Sequence, residues 1–405
     1  MNLSIKVIAL YSPVFISLVW GITLFIKNYR TKSPAYYMSF VQFSALAIFV
    51  SLVPFYNQNP VLSAQIDALF YGGILSIFPF VYLYVRQVAT KRKIEPGQFC
   101  FHLLPALLFV LIGLFIPISL SAEELKTYAL GLSVDNELHR TVFFFQIVDK
   151  TCKLLVVVQS LLYLYLISIL IKEFKNRVRD YFSNIENRYF NWIHVFYIIF
   201  SVSLLAAIPP LIAGNAYMAK TDNHLLTVCF FTLSVVFYLI AFIADNHRFI
   251  PDANFYNVEE LTTVESNVIG IQKEIACKLK DYFEQDKPYL QGDLKITEIA
   301  CALATNRTYV SGAIRNIYNS NFNEFVNSYR VKEAAILLAG DESRHITTTE
   351  ISEKAGFNTY NSFVKAFKKK HGCTPNVYRK TLKKYISSTE QPVFGGGAAF
   401  DRTIS

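Results

Sequence analysis

Seven stretches of this chain are each long and apolar enough to cross a lipid bilayer, and that constrains its fold more than any other feature. A membrane-spanning helix needs roughly 20 predominantly apolar residues. Such stretches lie near 5–26, 36–56, 68–88, 101–120, 151–171, 192–213 and 225–244. The fifth is untidy, because Asp149, Lys150 and Lys153 interrupt an apolar run that begins at Val142. The membrane boundary is placed close to Lys153, with 141–150 a helical extension outside. Only 17% of the 405 residues are charged and 53% are hydrophobic, whereas an ordinary globular chain is about 25% charged. Part of the surface must therefore face lipid. Residues 1–244 are expected to form an all-α, seven-helix transmembrane bundle.

The loops set an orientation. Those after the first, third, fifth and seventh spans carry Lys27, Arg30 and Lys32; Arg86, Lys91, Arg92 and Lys93; Lys172, Lys175, Arg177, Arg179 and Arg188; and Arg248. The opposite side carries only Lys6, Lys126, Arg140 and Lys220. Positive charge is retained on cytoplasmic loops, so the N-terminus is expected outside and everything after residue 245 in the cytoplasm. The first span does not read as a cleaved signal peptide: its basic flank follows it, and no small-residue cleavage site is evident.

Character changes at Asp245. Residues 245–263 are polar, contain Pro251 and read as a linker. From Val264 a helical stripe begins, with Val268, Ile271, Ile275, Leu279 and Tyr282 on one face. It is expected to be the first helix of the following domain, with about three turns available, rather than a dimerising signalling helix. The domain is placed at 264–385, and the glycine-rich 386–405 is read as a flexible tail. Cys100, Cys152, Cys229, Cys277, Cys301 and Cys373 form no CxxC pair. They are expected to be reduced, buried thiols, not disulfides or a zinc site.

Two similar blocks lie within 289–380. The first reads I-T-E-I-A at 296–300, then Thr305, Asn306 and RTYVSGAIRNIY; the second reads T-T-E-I-S at 348–352, then A-G-F-N and TYNSFVKAFKKK. In the first, ten residues separate Ala300 from Val310 and four separate Val310 from Ile314. In the second, eleven separate Ser352 from Phe363 and four separate Phe363 from Phe367. Each reads as a short helix, a tight turn and a second helix whose i, i+4 apolar pair faces back. Gly356 suits a turn position of positive φ. Between the blocks, Phe322, Phe325, Val326, Tyr329, Ile336 and Leu337 sit at helical spacing, so residues 322–339 read as one long helix that fixes the two units relative to each other.

On these residues the region resembles the DNA-binding domain of AraC/XylS-type transcription regulators. The resemblance covers about 270–382. It rests on Lys287-Pro288-Tyr289-Leu290, Ile299-Ala300, Tyr329-Arg330-Val331, Ala334-Ala335, Leu337-Leu338, Ile351, Gly356-Phe357, Phe363, Phe367-Lys368-Lys369, Gly372-Cys373-Thr374-Pro375 and Tyr378-Arg379. Gly312, inside the first recognition helix, departs from good helix chemistry at a cost of about 1 kcal/mol. Ser352 stands where a small apolar residue is more usual. The resemblance implies an all-α tandem helix-turn-helix domain on double-stranded promoter DNA and a homodimer on adjacent sites; taken with the apolar spans and the loop charges, the expected location is the inner membrane of a bacterium, with this domain in the cytoplasm.

A recognition helix enters the major groove with its first turns toward the bases. Those turns carry Asn306, Arg307, Thr308 and Ser311 in the first unit, with Arg315 further along; in the second they carry Asn358, Thr359, Tyr360, Asn361 and Ser362. Arg307 is the best candidate for direct readout, because arginine reads guanine with two hydrogen bonds. Lys365, Lys368, Lys369, Lys370, Arg379 and Lys380 are candidate phosphate contacts. Tyr360 and Tyr378 are expected to pack rather than stack on bases.

The membrane half is less informative. Asp67, His139, Arg140, Asp149, Lys150, Lys153, Lys220, Asp222 and His224 lie near its outer mouth. Asp149, Lys150 and Lys153 are the candidates for sensing an unknown small ligand or membrane signal, against the plainer reading that they end a helix at the headgroups. His102 and His194 are read as interfacial. No catalytic residue, cofactor or metal is expected: there is no HExxH, GxSxG or Walker loop and no internal repeat of the transporter kind. The alternatives are a membrane transporter or enzyme with an accessory DNA-binding tail, and a regulator released by proteolysis.

Overall fold

The computed structural model describes residues 3–90, 94–132, 140–185, 201, 223–246, 265–340 and 345–389. These are almost wholly helical, with a single isolated bridge between Phe182 and Lys295 among them. The chain forms two compact units, one of Met1–Lys175 with Tyr189–Tyr256, the other of Asn176–Arg188 with Asn257–Ser405.

Among the described residues, six helices are long and apolar enough to cross a membrane: α1 (Leu3–Asn28), α2 (Pro34–Tyr56), α4 (Asp67–Thr90), α5 (Pro96–Ser119), α7 (Arg140–Tyr181) and α8 (Asn223–Asn246); all belong to the first unit except the last residues of α7, from Asn176. Apart from Ser201, the expected span at 192–213 lies outside the described residues. Helices suit lipid because each satisfies its own backbone hydrogen bonds. The central helix is α4, with 72% of its most apolar window buried against 22% for α5. Its Gly73 sits so close to α2 that a β-carbon would meet the Ser44 carbonyl oxygen, and the Ser44 and Ser76 hydroxyls pair at 2.8 Å. Small residues at such crossings let the backbones approach. On α5 the exposed side chains Phe101, Leu104, Leu108, Leu111, Phe115 and Ile118 make an apolar outer face, as lipid contact requires.

Helices α1 and α8 run parallel. Ser12 pairs with Ser234 at 2.8 Å, Trp20 packs edge-on to Tyr238, and Lys27 bridges Asp245 at 2.6 Å, so the register advances in the same direction on both. Two short helices have no counterpart in the sequence reading: α3 (Pro60–Gln65) and α6 (Ala122–Leu130). Ser121 and Glu124 cap α6 reciprocally and Gly131 ends it in the left-handed region.

The reading that Asp149 and its neighbours end a helix is corrected, because α7 passes through them without a break. Asp149 and Lys153 pair at 2.7 Å one turn apart, which neutralises both; Lys150 is exposed. Beside them, the Tyr128 hydroxyl donates to Asp67 at 2.6 Å and pairs with Tyr71 at 2.8 Å. His102 shares a hydrogen bond with Tyr163 at 2.8 Å, while His194 lies outside the described residues.

The second unit holds α9 (Glu265–Gln285), a 3-10 turn at Pro288–Leu290, α10 (Ile296–Ala302), α11 (Arg307–Ile317), α12 (Phe322–Ala339), α13 (Thr348–Lys354), α14 (Tyr360–His371) and α15 (Pro375–Thr389). Three readings are corrected here. Helix α9 has 21 residues, about six turns rather than three, although it packs into the domain as expected: Ile275, Ala276, Leu279 and Phe283 are buried, whereas Ile271 is exposed and Tyr282 only half-buried. On α12, as its helical spacing allows, Leu338 is buried and Ile336 exposed. Helix α15 continues four residues into the expected tail. Of the cysteines all six are free, but only Cys152 is buried; Cys100, Cys229, Cys277 and Cys301 are exposed, since each lies off the inward stripe of its helix.

Helix α12 joins two small cores. Its Phe325 packs on Phe283 and Tyr318. Further along, Val331, Ala334 and Leu338 meet Ile351, Ala355, Phe357, Phe363 and Phe367.

Candidate nucleic-acid interface

The two repeats build the same object with one difference. In the first, α10 opens with the Glu298 carboxylate accepting from the Lys295 N–H at 3.1 Å, and α11 with the Asn306 side chain accepting from the Tyr309 N–H at 2.9 Å. In the second, Thr347 and Glu350 form a reciprocal cap on α13, and the Thr359 hydroxyl accepts from the Ser362 N–H at 3.2 Å at the start of α14. The Thr347 hydrogen bonds hold Glu350 below the usual carboxylate range. Both turns contain a residue of positive φ, Ala304 at 49° and Gly356 at 88°. At Gly356 a β-carbon would also strike the Tyr289 carbonyl. The second turn is one residue longer. That residue is Asn358, whose amide donates to Asp293 at 2.7 Å.

The buried faces are Val310, Ala313 and Ile314 on α11 and Phe363 and Phe367 on α14. Round the helix from the first of these, half-buried Arg307, Thr308 and Ser311 and exposed Arg315 follow one another at helical spacing on α11. On α14, Asn361, Lys365 and Lys368 are exposed at i, i+4 and i+7. Of the expected site residues, Asn306 and Thr359 serve as helix caps, Ser362 bonds back to Thr359, and Asn358 belongs to the turn. Lys369 bridges Glu324 at 2.7 Å, and Arg379 donates to the Ile346 carbonyl at 2.7 Å. Tyr378 packs on Phe367, and Tyr360 hydrogen-bonds with Thr348 and Asn376. At Gly312 a β-carbon would meet the end of the Gln272 side chain 2.5 Å away, so a larger residue there requires that side chain to move.

Two features escape sequence reasoning. Arg330 is 1% exposed and donates to the carbonyls of Tyr289, Gln291 and Gly292 at 2.7, 2.7 and 3.1 Å. Burial pushes its pKa down to about 10, so it remains charged at neutral pH. The other is the stretch 176–185, which belongs to this unit although it follows the fifth span. No periodic signal marks it.

Comparison with known proteins agrees with this geometry. The helix-turn-helix family matches residues 299–381, which include both turns, both recognition helices and the joining helix. This segment is an AraC-type helix-turn-helix domain. Relatives that share about this length of sequence include the Msm operon regulatory protein of Streptococcus mutans, 30% identical over 124 residues, which are 30% of this chain and 44% of that protein. The uncharacterized HTH-type transcriptional regulator YtdP of Bacillus subtilis is 32% identical over 90 residues, 22% of this chain and 11% of its own. Histidine kinase P4 of Formosa agariphila is 30% identical over 127 residues, 31% of this chain and 9% of its own. The chain thus spans less than half the length of each. No solved structure matches it. The family match falls wholly within the second unit, and the long apolar helices lie outside it.

Proposed function

We propose that the chain is a membrane-embedded, sequence-specific transcription regulator without enzymatic activity, whose AraC-type domain reads promoter DNA from the cytoplasmic face of the membrane. The observation that carries this is the pair of polar helix faces, Arg307-Thr308-Ser311-Arg315 on α11 and Asn361-Lys365-Lys368 on α14, joined by the single helix α12. Two rigidly joined units suit two successive major-groove segments. In this reading Arg307 reads a base directly, Arg315 reads a base or phosphate, and Asn361 reads a base. Lys365, Lys368 and Lys369 contact phosphates, with Lys369 exchanging Glu324 for DNA. A homodimer on adjacent sites doubles the length read.

The parallel packing of α1 and α8 supports the seven-span reading. With α2, α4, α5 and α7 each reversing the direction in turn, α8 would run opposite to α1 unless the chain crosses once more between α7 and α8. The apolar stretch 192–213 lies there. The excess of basic residues in alternate loops supports the N-terminus outside and the domain inside. The bundle is then the sensor, with the Asp149–Lys153 pair and the Asp67–Tyr128–Tyr71 chain as its polar elements. A signal acts by binding two arrangements of these helices unequally.

In vitro selection tests the DNA reading. The intact chain in lipid nanodiscs is mixed with a randomised duplex pool, and bound DNA is sequenced through successive rounds. Enrichment of one motif, relaxed at a base position by Arg307→Ala, is the expected result. A pool that stays random for the folded chain contradicts it.

A further inference from the structure

The outward face of α11 already has an occupant. Arg315 Nη2 lies 2.7 Å from Asp180 Oδ2, and the Arg307 guanidinium sits over the Tyr181 ring, 4.9 Å from its centroid. These are the two arginines of the helix, and both engage the end of α7. The occupant is firmly seated: Tyr181, Phe182 and Ser183 are buried. The Ser183 N–H donates to the Leu294 carbonyl at 3.0 Å, the Asn323 amide donates to the Ser183 carbonyl at 2.6 Å, and Arg330 Nη2 donates to the Ser183 hydroxyl at 3.2 Å. Phe182 forms an antiparallel bridge with Lys295, next to α10.

The chemistry offered to α11 is that of a nucleotide. A carboxylate presents anionic acceptor oxygens as a phosphate does, and an aromatic ring presents a π-face for a guanidinium as a base does. One guanidinium cannot keep these partners and also fork onto a guanine edge or a phosphate. We infer that residues 180–183 are a resident pseudo-ligand of the first recognition helix, and that DNA must displace them to engage it. This rests on the DNA-binding reading above. The occupant ends the same helix, Arg140–Tyr181, that contains the fifth apolar span, so the element that blocks α11 is continuous with the element that would receive a membrane signal. Rotation or withdrawal of α7 would free Arg307 and Arg315, and DNA binding would in turn favour the withdrawn position, because such coupling is reciprocal.

The test uses the intact chain in phosphatidylcholine nanodiscs and a fluorescent random-sequence duplex pool, with binding read by anisotropy at constant salt. Asp180→Asn keeps the side-chain shape and removes the ion pair, and circular dichroism checks that the fold is retained. It should tighten binding about two- to fivefold, the range expected for a partly exposed ion pair, with Asp180→Lys tighter still. Glu173→Gln, which removes one negative charge from the exposed side of the same helix, should leave binding unchanged. Adding Arg315→Ala to Asp180→Asn should erase the gain. If Asp180→Asn binds no more tightly than the unaltered chain, or Glu173→Gln gains equally, the pseudo-ligand is overturned and the DNA reading stands. If none of the folded variants binds duplex, the DNA reading falls and this inference with it.

Discussion

Arg330 donates its Nε hydrogen to the carbonyl oxygen of Tyr289 at 2.7 Å, tying the middle of the joining helix to the turn that precedes the first helix-turn-helix unit. Its other donors hold Gln291, Gly292 and Ser183, and its guanidinium lies 5.8 Å from the Phe357 ring of the second unit. One buried cation thus fixes both units. Backbone carbonyls carry much of its solvation, and the charge of Asp293 favours its ionised form.

Replacing Arg330 by leucine leaves those carbonyls buried without donors. The expected destabilisation is on the order of 3 kcal/mol, seen as a lower unfolding temperature of the intact protein in detergent. Arg330→Lys should recover little, because one ammonium cannot span the positions that a planar guanidinium reaches together.

The two turns make opposite predictions. Gly356→Ala puts a β-carbon at positive φ and against the Tyr289 carbonyl, so it should destabilise by more than about 1 kcal/mol. Ala304→Gly relieves a left-handed alanine and should stabilise by up to about 1 kcal/mol. Thermal unfolding of both single variants checks the pair; equal and like-signed shifts would contradict the assignment.

Lys365 and Lys368 are exposed on α14 and assigned to phosphates. Changing both to alanine should weaken binding to all sequences alike. It should flatten the plot of log affinity against log salt by about 0.9 for each phosphate left without its lysine. Arg307→Ala should instead relax one base position. Salt titrations with matched and mismatched duplexes separate the two effects.

How far these features are legible in the sequence depends on whether their signal is local. Helix α12 is readable at 322–339 and spans those residues, because eighteen consecutive positions obey one period. The ten- and eleven-residue spacings of the repeats foretell the extra turn residue, Asn358, though not its bond to Asp293. Ser121 and Glu124 carry a capping-box signal for α6 that the apolar runs on either side obscure. Asp180 and Arg315 cannot be paired from sequence: 135 residues separate them, and neither lies in a distinctive motif. Arg330 enters the sequence reading only through the family resemblance. Its burial depends on carbonyls brought together by the fold.

Orientation gives a further check. Single cysteines placed in the loop 57–59 should react with an impermeant maleimide added to intact cells, in a cysteine-free background. Cysteines at Thr31 or in the C-terminal domain should react only after lysis. The reverse pattern would invert the topology.

The most direct measurement crosslinks the intact protein to the chromosome in living cells, isolates the membrane fraction and sequences the attached DNA. A few sharp sites near promoters, abolished by combined Arg307→Ala and Lys365→Ala, are the predicted result. Membrane-bound protein at normal abundance that retains no enriched DNA under any growth condition would contradict regulation from the membrane.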